Sequence, residues 1–197
     1  AFLCVAPLGY VLAGFALGTT AALQGALLEL ACELPALAGL FYLAQWLKEC
    51  AGTDDLGRLR GLGRRAPGAA SAFLLLGAGL VGVPLFGGFY AKLYVFEAAL
   101  RQQQWWLVLG LAGAYGFSLL AWGVLAWRLF QAPTRETPIP RKSRPALEAV
   151  LALLALAGLA MGLRHQALLR DVITPALPQA FQHWTPPVED WDGKDVE

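Results

Sequence analysis

The sequence predicts an all-α, polytopic membrane protein with about five transmembrane helices, one of them discontinuous at Gly82–Gly88. Three observations predict it. The 197-residue chain is 57% hydrophobic and only 15% charged, with a mean hydropathy of +0.54, too apolar for a surface that faces water. Residues 1–28, 66–91 and 102–127 carry no formal charge, and each run exceeds the ~20 residues that cross ~30 Å of hydrocarbon as a helix. Two shorter uncharged runs, 34–47 and 149–163, become spans if they extend through Glu29 and Glu33 in one case and past Glu148 in the other. The net charge of +1 gives no reason to expect nucleic acid or a strongly acidic partner.

Span A runs from about Ala1 to Leu17, and the uncharged turn Gly18–Thr20 separates it from span B, about Ala22 to Leu47. The connection from Lys48 to Arg65 holds Asp54, Asp55 and the basic residues Lys48, Arg58, Arg60, Arg64 and Arg65, so it must lie in water. The apolar segment from Pro67 to Leu100 is interrupted by Gly82-Val83-Pro84-Leu85-Phe86-Gly87-Gly88, where a proline lacks its amide and glycines tolerate unusual dihedrals. It is either two spans joined by a hairpin at Pro84 or one span whose halves meet inside the membrane. A single crossing puts the basic connection at 48–65 on the same side as the one at 131–145, with Arg135, Arg141, Lys142 and Arg144. The opposite turns then hold only Arg101, which satisfies the positive-inside rule; two crossings would abolish the bias. The single broken span is therefore preferred.

Span E, about Gln104 to Phe130, opens with Trp105 and Trp106 and closes around Trp122, Trp127 and Arg128, as amphipathic rings at two headgroup layers would. Span F runs from about Ala146 to Gly162. Residues 1–163 are thus read as a transmembrane helical module, and 164–197, with four prolines and the acidic cluster Glu189, Asp190, Asp192, Asp195 and Glu197, as a solvent-side C-terminal tail. His165 and His183 fall in that tail and are read as surface residues. Cys4, Cys32 and Cys50 show no ligand spacing and read as small buried residues. Residues 1–17 lack a basic n-region, so a mature span is expected there and not a cleavable signal.

Ionisable groups at membrane depth cost about 2.5 to 3.5 kcal/mol on insertion scales, and each is a functional suspect. Lys92 follows the break, among Phe89, Tyr90, Tyr94 and Phe96, and a lysine held there can trade a proton with its surroundings, whereas one at an interface would only snorkel. Glu29 and Glu33, spaced i, i+4, project from one face of span B near its midpoint, with Pro35 available to bend the helix beyond them. Two carboxylates this close do not both ionise in a dry site, which suits a proton relay; lining a hydrated crevice against another subunit is the alternative. Glu97 is expected to pair with Arg101 at i+4. Gly77-Ala78-Gly79-Leu80-Val81-Gly82 formally matches GxGxxG, but no soluble strand precedes it and Pro84 follows, so its small residues read as a packing surface. No haem, flavin, iron–sulfur or nucleotide motif is found, and no cofactor or metal is expected.

The run Gly82 to Tyr94 resembles the "G-[IV]-P-x-x-x-G-F-x-x-K-x-Y" signature of the antiporter-like membrane subunits of respiratory complex I and the related Mrp cation/proton antiporters. Pro7-Leu8-Gly9-Tyr10 is similar to the family's "S-x-x-x-[LM]-G-Y/F" helix, and Thr53 to Gly63 to its "T-x-D-L-x-x-L-x-G-L" loop. Lys92 in place of a glutamate, with Trp105-Trp106-Leu107 beyond, looks most like the N-type branch. The resemblance covers most of residues 5–165 and only the C-terminal part of the family's subunit. It implies that the spans are the second-repeat half plus a last helix, with the broken segment as the family's discontinuous helix. It also implies that Lys92 belongs to a terminal proton route, with Gly82, Pro84, Gly87 and Gly88 as the hinge.

Glu29, Glu33 and Leu37 stand where many members place histidines and a lysine. The function implied is a proton-translocating membrane-arm subunit, fragment or split half, of NADH:ubiquinone oxidoreductase, which moves protons along a hydrated lysine and carboxylate path without redox chemistry of its own. Its partners would be other membrane-arm subunits, including a separate chain with the first antiporter repeat, and lipids. Half of a Na⁺/H⁺ antiporter and a structural module with vestigial ionisable groups are the alternatives. A chain without an initial Met that begins midway through the family pattern favours the mitochondrial inner membrane over the bacterial plasma membrane.

Overall fold

The computed structural model describes residues 2–51, 60–132 and 145–177, all of them in helices and their connecting turns. In chain order these are α1 (Phe2–Leu17), α2 (Thr20–Ala51), α3 (Leu62–Arg65), α4 (Pro67–Val81), α5 (Gly87–Arg101), α6 (Trp105–Phe130), α7 (Pro145–Leu163) and α8 (His165–Ala176). Gly18, at φ +64°, ends α1, and the Thr19 hydroxyl accepts the Ala22 amide at 3.1 Å to cap α2. The carbonyl of Leu17, left over at the end of α1, accepts from the Gln102 side chain at 3.0 Å, which ties this turn to the one after α5.

The 32-residue helix α2 is the spine, and it runs through Pro35 without ending. Followed from Thr20 to Trp46, its neighbours come in a fixed order. Ala22 shares a cluster with Val95, Ala98 and Ala99; Gly25 faces the Ala91 carbonyl; Leu28 packs with Ala91; Gly39 faces Leu76; and Leu43 and Trp46 pack with Ala69 and Ala72. The numbers fall steadily from α5 into α4, so the two helices lie in series antiparallel to α2. A hairpin at Pro84 would have reversed the order. Each half has 15 residues, roughly 22 Å of helix, and only together do they match the ~30 Å hydrocarbon layer.

The described residues flanking the two charge-bearing connections therefore meet at one end of the bundle. There Gly61 donates to the Arg128 carbonyl at 3.4 Å, Gly63 abuts Phe130, and Leu43, Trp46, Ala69, Leu129 and Leu151 form one cluster. The protein is all-α and polytopic, its bundle built from α1, α2, the broken α4–α5 pair, α6 and α7. Taken singly, α2 over Thr20–Trp46 and α6 are long and apolar enough to cross, whereas α1 and α4 are shorter apolar helices. The segments Ala149–Leu163 and His165–Ala176 meet at an 80° bend.

Two expectations need correction. Trp105, Trp106 and Trp127 are exposed as a headgroup belt requires, but Trp122 turns inward, its indole packed over Gly77 where no Cβ stands in the way. Past Leu163 the chain does not leave the bundle at once. Leu169 and Ile173 are buried against Leu28, Cys32 and Ala91, and Gln24 donates to Thr174 at 2.9 Å. His165 accordingly stacks on Tyr90, ring centroids 3.7 Å apart, instead of facing solvent. The acidic stretch, His183 and most of the two basic connections lie outside the described residues.

Close approach of α5 to α2 requires glycine at position 25, where a Cβ would come within 2.8 Å of the Ala91 carbonyl. Gly25→Val is expected to destabilise the bundle by about 1–3 kcal/mol. Gly116→Ala, with nothing within 4 Å of its added carbon, should stay within about 0.5 kcal/mol of the parent. Thermal denaturation in detergent of the two variants side by side measures the difference.

Candidate functional site

The site begins with a missing hydrogen bond. In an unbroken helix the Leu80 carbonyl would accept the amide of residue 84, and residue 84 is proline. Gly82 adopts φ +84°, and the amides of Gly82 and Val83 both turn back to the Ala78 carbonyl, at 3.0 and 2.9 Å, closing α4. The freed Leu80 carbonyl accepts instead from Lys92 Nζ at 3.4 Å. Gly87 and Gly88 then start α5 where the chain is most crowded: a Cβ on Gly87 would collide with Cys32 Sγ, and one on Gly88 would come within 2.8 Å of the Gly79 carbonyl. Leu85, a non-glycine residue at φ +89°, carries strain of order 1–3 kcal/mol; its carbonyl is seated against Gly162 of α7, where no side chain would fit.

Lys92 and Glu29 are both buried, at 7% and 2% exposure, and Nζ donates to Glu29 Oε1 in an ion pair between α5 and α2. The pair lies across the break. Its ammonium sits at the C-terminal carbonyls of α4, the negative end of that half-helix, while Glu29 Oε2 comes within 3.6 Å of the space beside Gly88, at the positive start of α5. Lys92 Nζ lies equally near that space, at 3.5 Å, so both members of the pair sit at the start of α5 and the ammonium also reaches the last carbonyls of α4. Glu29 Oε2 and Glu33 Oε1 are buried with no hydrogen-bond partner among the described residues. An oxygen in that position needs a proton or a water molecule.

The third side is aromatic. The Tyr10 ring centroid lies 5.6 Å from Lys92 Nζ, and both residues line a cleft of about 220 Å³ between α1, α5 and α6, bordered also by Phe89, Phe96 and Tyr115. Tyr115 donates to the Gly82 carbonyl at 2.8 Å, which fastens the break to α6.

The structure thus brings Lys92 and Glu29 together with Gly82, Pro84, Gly87 and Gly88. Glu33 is buried at 4% exposure one turn along α2, without a bond to Lys92. Glu97 and Arg101 pair at 2.7 Å on the exposed surface, a contact worth little to stability. Reading the sequence did not find Tyr10, Tyr115 or the Leu80 carbonyl as parts of the site. For Leu80 a signal existed, namely the proline four residues ahead; the tyrosines approach from other helices, and no local pattern marks them.

The sequence profile of the family described as "NADH:quinone oxidoreductase/Mrp antiporter, TM" matches residues 1–118, which hold the break, Lys92 and both glutamates. The chain belongs to this family. Among its relatives, NADH-quinone oxidoreductase subunit N of Methylovorus glucosotrophus is 32% identical over 92% of this chain and 38% of its own length. The corresponding subunit N 1 of Solibacter usitatus is 32% identical over 83% of this chain and 34% of its own. The solved Mrp complex from Dietzia sp. DQ12-45-1b superposes with a TM-score of 0.71 at 26% identity, covering 83% of this chain and 39% of the matched one. Respiratory complex I from Thermus thermophilus with bound aureothin shares the fold, with a TM-score of 0.54 at 23% identity over 86% of this chain and 44% of that one. The chain therefore spans less than half the length of these relatives. It is an antiporter-like multi-pass membrane segment of the complex I/Mrp family, and the relatives named are bacterial. They lend nothing to the mitochondrial preference drawn from the sequence.

A buried ion pair is expensive to break from one side. Glu29→Leu leaves the ammonium unpaired and is expected to cost about 3–5 kcal/mol of stability, whereas the double variant Glu29→Leu/Lys92→Met should recover most of that loss. Thermal unfolding of both single variants and the double variant in detergent measures the coupling.

Proposed function

We propose that this chain forms a proton-translocating part of a membrane-arm subunit of an NADH:quinone oxidoreductase, with Lys92 as the proton-transfer residue and Glu29 and Glu33 as its relay. The observation that carries this reading is the buried Lys92–Glu29 pair lying across the helix break. The Lys92 ammonium gives a proton to the Glu29 carboxylate, leaving an uncharged amine beside an uncharged acid. A second proton, arriving along the face that carries Glu33, reloads the amine, and the Glu29 proton leaves in turn. Gly82, Pro84, Gly87 and Gly88 act as the hinge that lets the ammonium part from the carboxylate.

In this proposal residues 1–163 are the transmembrane module and 164–197 continue from it to the aqueous side, after the packed stretch of α8. The other membrane-arm subunits, and whichever chain carries the first antiporter repeat, complete the path in an energy-coupling membrane. The bacterial relatives favour a bacterial plasma membrane over the mitochondrial inner membrane. The redox chemistry belongs to other subunits.

A second reading, exchange of Na⁺ for H⁺ without electron transfer, is favoured by one observation: the fit to the Mrp complex exceeds the fit to complex I, at TM-scores of 0.71 against 0.54. Mass spectrometry of the native assembly separates the two. Co-purifying subunits that oxidise NADH support the first, and a set of antiporter subunits alone supports the second.

In the assembled complex Lys92→Ala should lower proton translocation by about tenfold or more, the scale on which a positioned acid–base group acts, while the amount of assembled complex is retained. Glu33→Gln should lower it less. Proton-to-electron stoichiometry in inverted vesicles is the readout, and an unchanged ratio for Lys92→Ala removes that residue from the mechanism.

A further inference from the structure

The Lys92 ammonium is restrained on three sides, by Glu29 Oε1 from α2, the Leu80 carbonyl at 3.4 Å from α4, and the face of Tyr10 at 5.6 Å from α1. The first two hold it toward the helix break. Tyr10 and Lys92 both line the cleft of about 220 Å³, with the ring face turned to the ammonium. The ring is fixed at both ends. Its backbone belongs to α1, and its hydroxyl donates to the Leu111 carbonyl of α6 at 2.5 Å, 101 residues away, with the residue only 3% exposed. It cannot swing aside without giving up that bond.

The cleft offers the ammonium nothing else. Apart from Tyr10 and Lys92 itself it is lined by Phe89, Leu93, Phe96, Ala112 and Tyr115, and both tyrosine hydroxyls on its border are engaged, that of Tyr10 with Leu111 and that of Tyr115 with Gly82. An ammonium that turned from Glu29 further into the cleft would have only aromatic and aliphatic surroundings, with the π face of Tyr10 at 5.6 Å as its electron-rich contact.

We infer that Tyr10 is a positioning residue for proton transfer: its ring face keeps the Lys92 ammonium on the Glu29 side of the cleft, and its hydroxyl holds the ring in place from α6. The aromatic face is the part that acts on the lysine, and the hydroxyl serves it. This inference rests on the role proposed for Lys92.

The test compares Tyr10→Phe, Tyr10→Leu, Tyr10→Met and Lys92→Ala in the intact membrane complex, reading the proton-to-electron ratio together with the amount of assembled complex. Tyr10→Phe keeps the π face and is expected to stay within about twofold of the parent, whereas the variants without a ring fall by about threefold or more at equal assembly. The opposite pattern overturns the inference. If Tyr10→Phe falls as far as Tyr10→Leu, the hydroxyl link between α1 and α6 is what matters; if Tyr10→Leu and Tyr10→Met match the parent, the ring does nothing for the lysine. Failure of both ring-free variants to assemble makes Tyr10 a packing residue and overturns it as well. Should Lys92→Ala itself leave the ratio unchanged, the role of the lysine fails first; should it fall while the ring-free variants do not, only the positioning role fails.

Discussion

A charge in the membrane interior and an interrupted helix in the same place would each be costly alone. Here each supplies what the other lacks. Pro84 leaves the Leu80 carbonyl without an amide, and the Lys92 ammonium donates to it. The ammonium is balanced by Glu29, and the free oxygen of Glu29 lies beside the opening turn of α5, whose first amides have no partners within the helix. The break, the cation and the carboxylate form one unit, and removing any one of them exposes the requirements of the other two.

The rest of the bundle keeps that unit in place. The long helix α2 carries Glu29 and serves as the rail along which α4 and α5 stand end to end. Glycines set the spacing, since Gly14, Gly25 and Gly39 allow α1, α5 and α4 to approach α2 more closely than any side chain would permit. The strained turn at Leu85 is held from outside, by Gly162 of α7, while Tyr115 of α6 holds the Gly82 carbonyl. An interrupted helix clamped by its neighbours has two halves that can shift against each other only through the few residues of the break. The alternating contact proposed for the lysine and its carboxylate would act through that break.

Much of this was legible in the sequence because one-dimensional signals carry it. Uncharged runs mark the spans, a proline among glycines marks the interruption, and the clustering of basic residues in two connections decides that α4 and α5 make one crossing, which the order of neighbours along α2 bears out. Burial of Lys92 followed from its distance to any interface. What stayed hidden depends on how helices are rotated against one another. The i, i+4 spacing placed Glu29 and Glu33 on one face but could not say that Glu29 alone meets the lysine. Trp122 looked like a belt residue because its position along the span fits, and only the gap left by Gly77 across the interface turns it inward. The return of α8 onto α2 and α5 was obscured for a similar reason: its prolines and polar residues read as a departure from the membrane, while Leu169 and Ile173 find a groove made by three separate helices.

The central claim is that Glu29 gains and loses a proton in exchange with Lys92 as the complex works. Infrared difference spectroscopy of the assembled complex in turnover observes this directly, through the carbonyl stretch of a protonated carboxyl group. The account predicts a band that appears and decays with turnover and is missing in the Glu29→Gln variant. Superposable spectra from the parent and that variant, both turning over, would contradict it.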